Sequence, residues 1–171
     1  MENFNLILPE IFLSISIFLT LLIGVFVKNS YNLVTNITYL IIVSTLLITF
    51  KSFDESGNLF SNSFVSNSFT NFFKILILLG TLFVMLITQN FIKEMKINYF
   101  EYPLLLLFSV LGMFFMISSN DLMSFYLGLE LQSLALYILA AIDKDNLKSN
   151  ESGLKYFVLS ALSSGLLLYG C

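Results

Sequence analysis

Long apolar stretches separated by short polar ones recur six times along the chain. A helix that crosses a bilayer needs about 20 mostly apolar residues. The runs Leu6–Val27, Leu33–Phe50, Phe72–Ile92, Pro103–Ser119, Leu122–Ile142 and about Glu151–Gly170 meet or approach that length. Pro9 and Pro103 stand in the opening turns of the first and fourth runs, where a missing N–H is no loss. Asn120 and Asp121 interrupt what would otherwise be one helix far too long for a bilayer. The pattern therefore predicts a tight antiparallel hairpin there, with Asp121 as N-cap of the fifth helix. The 51–71 segment is the longest break and repeats Ser-Asn-Ser-Phe at Ser61–Phe64 and Ser66–Phe69. It reads as low-complexity drift in a tolerant loop, with phenylalanines dipping into the membrane interface as the sharper alternative. The expected fold class is all-α: a polytopic membrane protein with six transmembrane helices.

Composition narrows the solvent. The chain of 171 residues is 57% hydrophobic and only 11% charged, against about a quarter charged in an ordinary soluble domain. A water-soluble fold of this size has no place for so much apolar surface. The net charge is −3 and every basic residue is Lys, so nothing suggests nucleic acid. One cysteine, Cys171, and no histidine leave no thiolate or imidazole set for zinc, haem or an iron–sulfur cluster. Any redox cofactor is expected on another chain. The start does not read as a secretory signal, because Glu2 is the only early charge and the apolar run is long enough to span.

Lysine placement predicts orientation. With six helices both termini lie on one side. Lys28, Lys93, Lys96, Lys144 and Lys148 fall on the other, against Lys51 and Lys74 on the terminus side. Five against two puts both termini on the periplasmic or intermembrane-space side.

Most charges sit in loops. Glu130 does not: it lies about eight residues into the fifth helix, roughly 12 Å deep at 1.5 Å per residue, near the middle of an apolar core about 30 Å thick. A carboxylate there costs several kcal/mol unless it is protonated, paired or hydrated. Tyr126, Ser133 and Tyr137 at i−4, i+3 and i+7 fall within about 60° of it on the helical wheel. The result is a hydroxyl-lined stripe suited to a hydrated proton path. The plainer alternative is a protonated acid joining two helices by a hydrogen bond. Glu151 and Lys155 open the sixth helix in the favourable i,i+4 order, and Lys155 is either a relay lysine or a snorkelling one. Glu10 reads as a carboxylate favoured by the dipole of the first helix. Ala161 and Gly165 form a small-xxx-small pair that suits a neighbouring helix.

Several runs together carry a family resemblance. They are Leu8-Pro9-Glu10, Tyr102-Pro103-Leu104-Leu105-Leu106-Leu107, Ser119-Asn120-Asp121-Leu122 and Tyr126-Leu127-Gly128-Leu129-Glu130-Leu131-Gln132-Ser133-Leu134. Gly153-Leu154-Lys155-Tyr156-Phe157, Ser163-Ser164-Gly165 and Tyr169-Gly170 continue it. The sequence resembles the subunit 2 family (subunit N in bacteria) of respiratory complex I, the proton-pumping NADH:ubiquinone oxidoreductase. That resemblance implies the N-terminal part of an antiporter-like inverted-repeat fold. Residues 1–100 would hold three leading helices and residues 101–171 the first three helices of the first repeat.

The resemblance also implies roles. Glu130 becomes the intramembrane glutamate of a half-channel, with Glu151 and Lys155 on its path and Tyr126, Ser133 and Tyr137 lining it. The chain is expected to carry no redox centre; flavin, iron–sulfur clusters and quinone belong to other subunits. Expected partners are other membrane-arm subunits, membrane lipids and a separate polypeptide supplying the C-terminal helices. The expected location is the mitochondrial inner membrane, with the bacterial plasma membrane as the alternative. The competing functions are a subunit of a related cation/proton antiporter and a structural half subunit without a channel role.

Overall fold

The computed structural model describes residues 4–27, 31–95 and 99–170. After a 3-10 turn over Phe4–Ile7 come α1 (Leu8–Phe26), α2 (Tyr31–Lys51), strands β1 (Gly57–Leu59) and β2 (Phe64–Ser66), α3 (Ser68–Met95), α4 (Glu101–Ser118), α5 (Leu122–Ala140) and α6 (Leu147–Gly170). All six expected helices are present. Pro9 sits in the first turn of α1 and Pro103 is the third residue of α4, as the sequence suggested. Asp121 caps α5: its carboxylate accepts from the Ser124 N–H at 2.6 Å.

Five of the helices, α1 to α5, are long and apolar enough to cross a membrane among the described residues. α6 is not one of them. It is 24 residues long, but Lys148, Glu151, Lys155 and a run of serines dilute its apolar character.

α4 is the centre of the bundle. Half of its 18 residues are buried, among them Leu107, Val110, Leu111 and Phe114. These meet Leu13 and Ile17 of α1, Ile41 and Ile42 of α2, and Leu78 and Met85 of α3 in one apolar core. The opposite side of α4 carries α5, and α6 packs on α5. Buried hydroxyls in this core are satisfied locally. Thr38 and Thr45 of α2, for example, donate to carbonyls four residues back at 2.8 and 2.9 Å, so they need no partner from the lipid-like interior.

α4 and α5 approach so closely that glycine is required. A Cβ on Gly112 would lie 2.6 Å from the Gln132 backbone nitrogen and 2.8 Å from the Gly128 oxygen. A Cβ on Gly128 would lie 2.8 Å from the Met116 nitrogen. This is the small-residue contact that brings membrane helices together. The expected Ala161–Gly165 pair is different: Ala161 is exposed, and a Cβ on Gly165 would meet nothing within 4 Å.

The 51–71 segment is not a tolerant low-complexity loop. Its first repeat supplies the turn and start of a β-hairpin, with Gly57 opposite Ser66 and Leu59 opposite Phe64. Phe60, Ser61 and Asn62 all have positive φ, at roughly 1–2 kcal/mol each for non-glycine residues. The hairpin offsets this by bonding elsewhere. Asn120 donates through its backbone N–H to the Ser63 carbonyl at 3.0 Å and through its side chain to the Asn62 carbonyl at 2.9 Å. Leu59 and Phe64 bury against Leu6. The second repeat starts α3, where Thr70 Oγ1 accepts from the Asn67 N–H at 2.8 Å. Of the phenylalanines, Phe64 is buried, while Phe60 and Phe69 face outward. Alternation was too short for sequence alone to separate a strand from a loop.

Gly128→Ala should destabilise the solubilised protein by about 1–3 kcal/mol, because backbone rather than a flexible side chain stands in the way. Gly80→Ala, where nothing lies within 4 Å, should leave thermal unfolding unchanged. Equal melting temperatures for the two variants would refute the close α4–α5 contact.

Candidate functional site

Glu130 is half-buried in the middle of α5. Its Oε1 is buried and has no hydrogen-bond partner among the described residues. The hydroxyl stripe around it divides rather than converging on the carboxylate. Ser133 Oγ donates to the Glu130 backbone carbonyl at 3.0 Å. Tyr137 donates to Ser160 Oγ at 2.5 Å and sets its ring edge-on to Tyr156 and Phe157, at 4.9 and 5.6 Å between centroids. It therefore pins α5 to α6. Tyr126, half-buried one turn before Glu130, lines a cleft of about 270 Å³ with Leu122, Met123 and Leu168.

Glu151 and Lys155 pair with each other at 2.6 Å but lie on the exposed side of α6, 63% and 71% accessible. Such a pair contributes a few tenths of a kcal/mol at most in water. Lys155 is thus joined to Glu151 and not to Glu130 among the described residues. Lys28, Lys96 and Cys171 lie outside the described residues, as does the side chain of Lys93.

The structure brings together two charges that sequence reasoning kept apart. Glu10 in the first turn of α1 and Lys74 in the second turn of α3 meet at 2.6 Å, at 1% and 0% exposure. Ser118, the last residue of α4, donates to Glu10 Oε1 at 3.4 Å. Lys74 Nζ stands 5.4 Å from the Phe64 ring centroid and 5.9 Å from that of Phe114, within cation–π range. Glu10 is therefore not merely a dipole-favoured carboxylate, and Lys74 is not a terminus-side surface charge. A signal for the pair did exist in the sequence: each is the sole charged residue of its apolar span, Leu8–Phe26 and Ser68–Gln89, and the signs are opposite.

At the α4–α5 corner, the Ser124 backbone N–H holds the Asp121 carboxyl below its ordinary value of 3.8, with help from the Ser63 and Ser124 hydroxyls. The hairpin and the cap of α5 are thus tied electrostatically.

Comparison with known proteins places this geometry. A family model described as NADH:quinone oxidoreductase/Mrp antiporter, TM, matches residues 119–171, the part that holds Glu130, Glu151 and Lys155. The NADH-quinone oxidoreductase subunit N of Pelagibacter ubique is 56% identical over 100% of this chain and 36% of its own length. That of Bartonella bacilliformis is 48% identical over 96% of this chain and 34% of its own length. This chain is thus similar along its whole length to part of these subunit N proteins. A solved structure, respiratory complex I from Thermus thermophilus with bound aureothin, includes a chain that superposes with a TM-score of 0.79 at 26% identity. It covers 95% of this chain and 35% of the other. The chain thus spans about a third of the length of the subunit N relatives it matches, and these relatives are bacterial.

Asp121 offers a pH test. Its folded-state pKa is the lower one, so the stability it adds is complete above the unfolded-chain value and is lost as pH falls through the folded value. Asp121→Asn should lower the melting temperature of the solubilised chain at neutral pH, and the gap from the parent should close as pH drops below 3.8. A gap that persists unchanged in acid would show that the charge of the cap plays no part.

Proposed function

We propose that this chain forms part of a membrane-arm subunit of a proton-pumping NADH:quinone oxidoreductase, with Glu130 as its proton-holding group. The observation that carries this is a half-buried carboxyl with an unpartnered oxygen, inside a spanning helix, in a chain related throughout to subunit N. In this reading α1–α3 are the leading helices and α4–α6 open the first antiporter-like repeat. Glu130 alternates between a neutral and a charged form as the charges facing it change. Tyr126, Ser133 and Tyr137 line the path, and Glu151 and Lys155 act once the exposed face of α6 is covered. The redox cofactors reside on other subunits, and the electron-transfer chemistry is theirs.

The remaining two thirds of a full subunit N would cover the outward faces of α5 and α6, together with neighbouring subunits and lipid. With α6 counted as a sixth crossing, both termini lie on the periplasmic or intermembrane-space side. Burial of Lys74 in an ion pair supports this, since it removes one lysine from the terminus side and leaves five against one. The bacterial relatives favour a bacterial plasma membrane over the mitochondrial inner membrane. A second reading, a cation/proton antiporter subunit, draws on the family model's description, which names both kinds of protein.

Native fractionation of mildly solubilised membranes, with an NADH-oxidation stain and mass spectrometry, decides between these. The chain should appear in the NADH-oxidising band, along with any polypeptide carrying the remaining helices. Its appearance in a complex without NADH-oxidising subunits would favour the antiporter. Within the assembled complex, Glu130→Gln should cut proton pumping at least tenfold while assembly falls by less than half, an order expected when a proton-transfer group is lost. Unchanged pumping per assembled complex would remove Glu130 from the path.

A further inference from the structure

The Glu10–Lys74 pair belongs to neither the Glu130 stripe nor the α6 surface pair, and its surroundings are unusual. Three helices and the hairpin converge on it: Glu10 from α1, Lys74 from α3, Ser118 and Phe114 from α4, and Phe64 from β2. The hairpin that closes over it is itself held down. Asn71 of α3 donates to the Ser52 carbonyl just past α2 at 2.9 Å and accepts from Ser66 Oγ at 3.4 Å. Beyond the ion pair, Lys74 Nζ and Glu10 Oε2 have no hydrogen-bond partner among the described residues. The Phe64 and Phe114 rings and the Ser118 hydroxyl stand against the pair.

Elsewhere these helices offer little to define their mutual rotation. The hydroxyls of Thr20, Thr38, Thr45, Thr81 and Ser109 bond carbonyls of their own helices. The shared core is Leu, Ile, Val, Met and Phe. In a bilayer, lipid tails are as apolar as such side chains, so no hydrophobic force selects one helix face over another. A buried charge does select: any rotation or slide that separates Glu10 from Lys74 leaves both uncompensated, whereas replacing both by apolar residues of similar size removes the penalty altogether.

We infer that Glu10 and Lys74 are a positioning pair that sets the register of α1 and α3 on α4, and, through the Gly112–Gly128 contact, the placement of α5 and Glu130. This does not depend on the proposed activity. The pair acts on geometry.

Spin labels on the full chain in native membranes test this. In a Cys171→Ser background, Leu19→Cys on α1 and Ile138→Cys on α5, both outward-facing, report the distance across α4 by pulsed electron paramagnetic resonance. The parent should give one narrow distance. Glu10→Gln or Lys74→Met alone should lower the amount of folded protein on the order of a hundredfold, the usual result of stranding one buried charge. The double variant Glu10→Met/Lys74→Met should accumulate within about twofold of the parent, since no charge is stranded, yet give a broad or multiple distance distribution. A narrow, parent-like distance in the double variant would overturn the inference, because packing alone would then set the register. Loss of the double variant to the same extent as the single ones would also overturn it, because the pair would then act on stability rather than register. So would single variants that keep both the protein level and the narrow distance.

Discussion

A chain dissolved in hydrocarbon cannot rely on the hydrophobic effect to hold its helices against one another. Its backbone must also satisfy every polar group internally. These two conditions account for most of what the structure shows. The backbone is helical throughout the apolar stretches, and buried threonines return their hydroxyls to their own helices. What remains for tertiary organisation is close packing and a few polar contacts. α4 concentrates both. It is the most buried of the spanning helices, it meets α5 through paired glycines, and its last residue touches the ion pair sealed inside the bundle.

The two intramembrane carboxyls illustrate how environment separates roles. Glu10 has a lysine at contact distance and two aromatic rings over that lysine, all beneath a hairpin whose turn is bonded to the α4–α5 corner. Its charge is matched where it stands. Glu130 has a buried oxygen with no partner among the described residues and a helix that is largely uncovered by the rest of this chain. Glu10 is matched at 2.6 Å, and Glu130 is not matched by any described residue. The two differ in depth, Glu10 lying in the first turn of α1 and Glu130 mid-way along α5, and they differ also in the company each keeps.

The hairpin over residues 57–66 links these regions. It buries Phe64 against Lys74, bonds Asn120 at the start of the α4–α5 corner, and offers Ser63 to the Asp121 cap. A segment whose composition suggests an idle loop is therefore the cover of the buried pair and the brace of α5. The three positive-φ residues at its tip are tolerated because these bonds over-determine the turn.

Apolar run length determined the six helices, their approximate ends and the hairpin between the fourth and fifth, because a bilayer demands one feature that a linear sequence displays directly: enough consecutive apolar residues. Helix periodicity likewise exposed Glu130 and its hydroxyl neighbours, since they share a single helix. Asp121 was legible for the same local reason. Tertiary structure alone decided which charges meet. Glu10 and Lys74 are 64 positions apart on different helices, and nothing local says that their faces turn toward each other. It also decided which small residues matter, selecting Gly112 and Gly128 over Ala161 and Gly165, and which hydroxyls serve the stripe, since Tyr137 turns to Ser160 instead of Glu130. Local sequence determines which groups a helix presents. Only the packing of one helix on another determines what those groups find there.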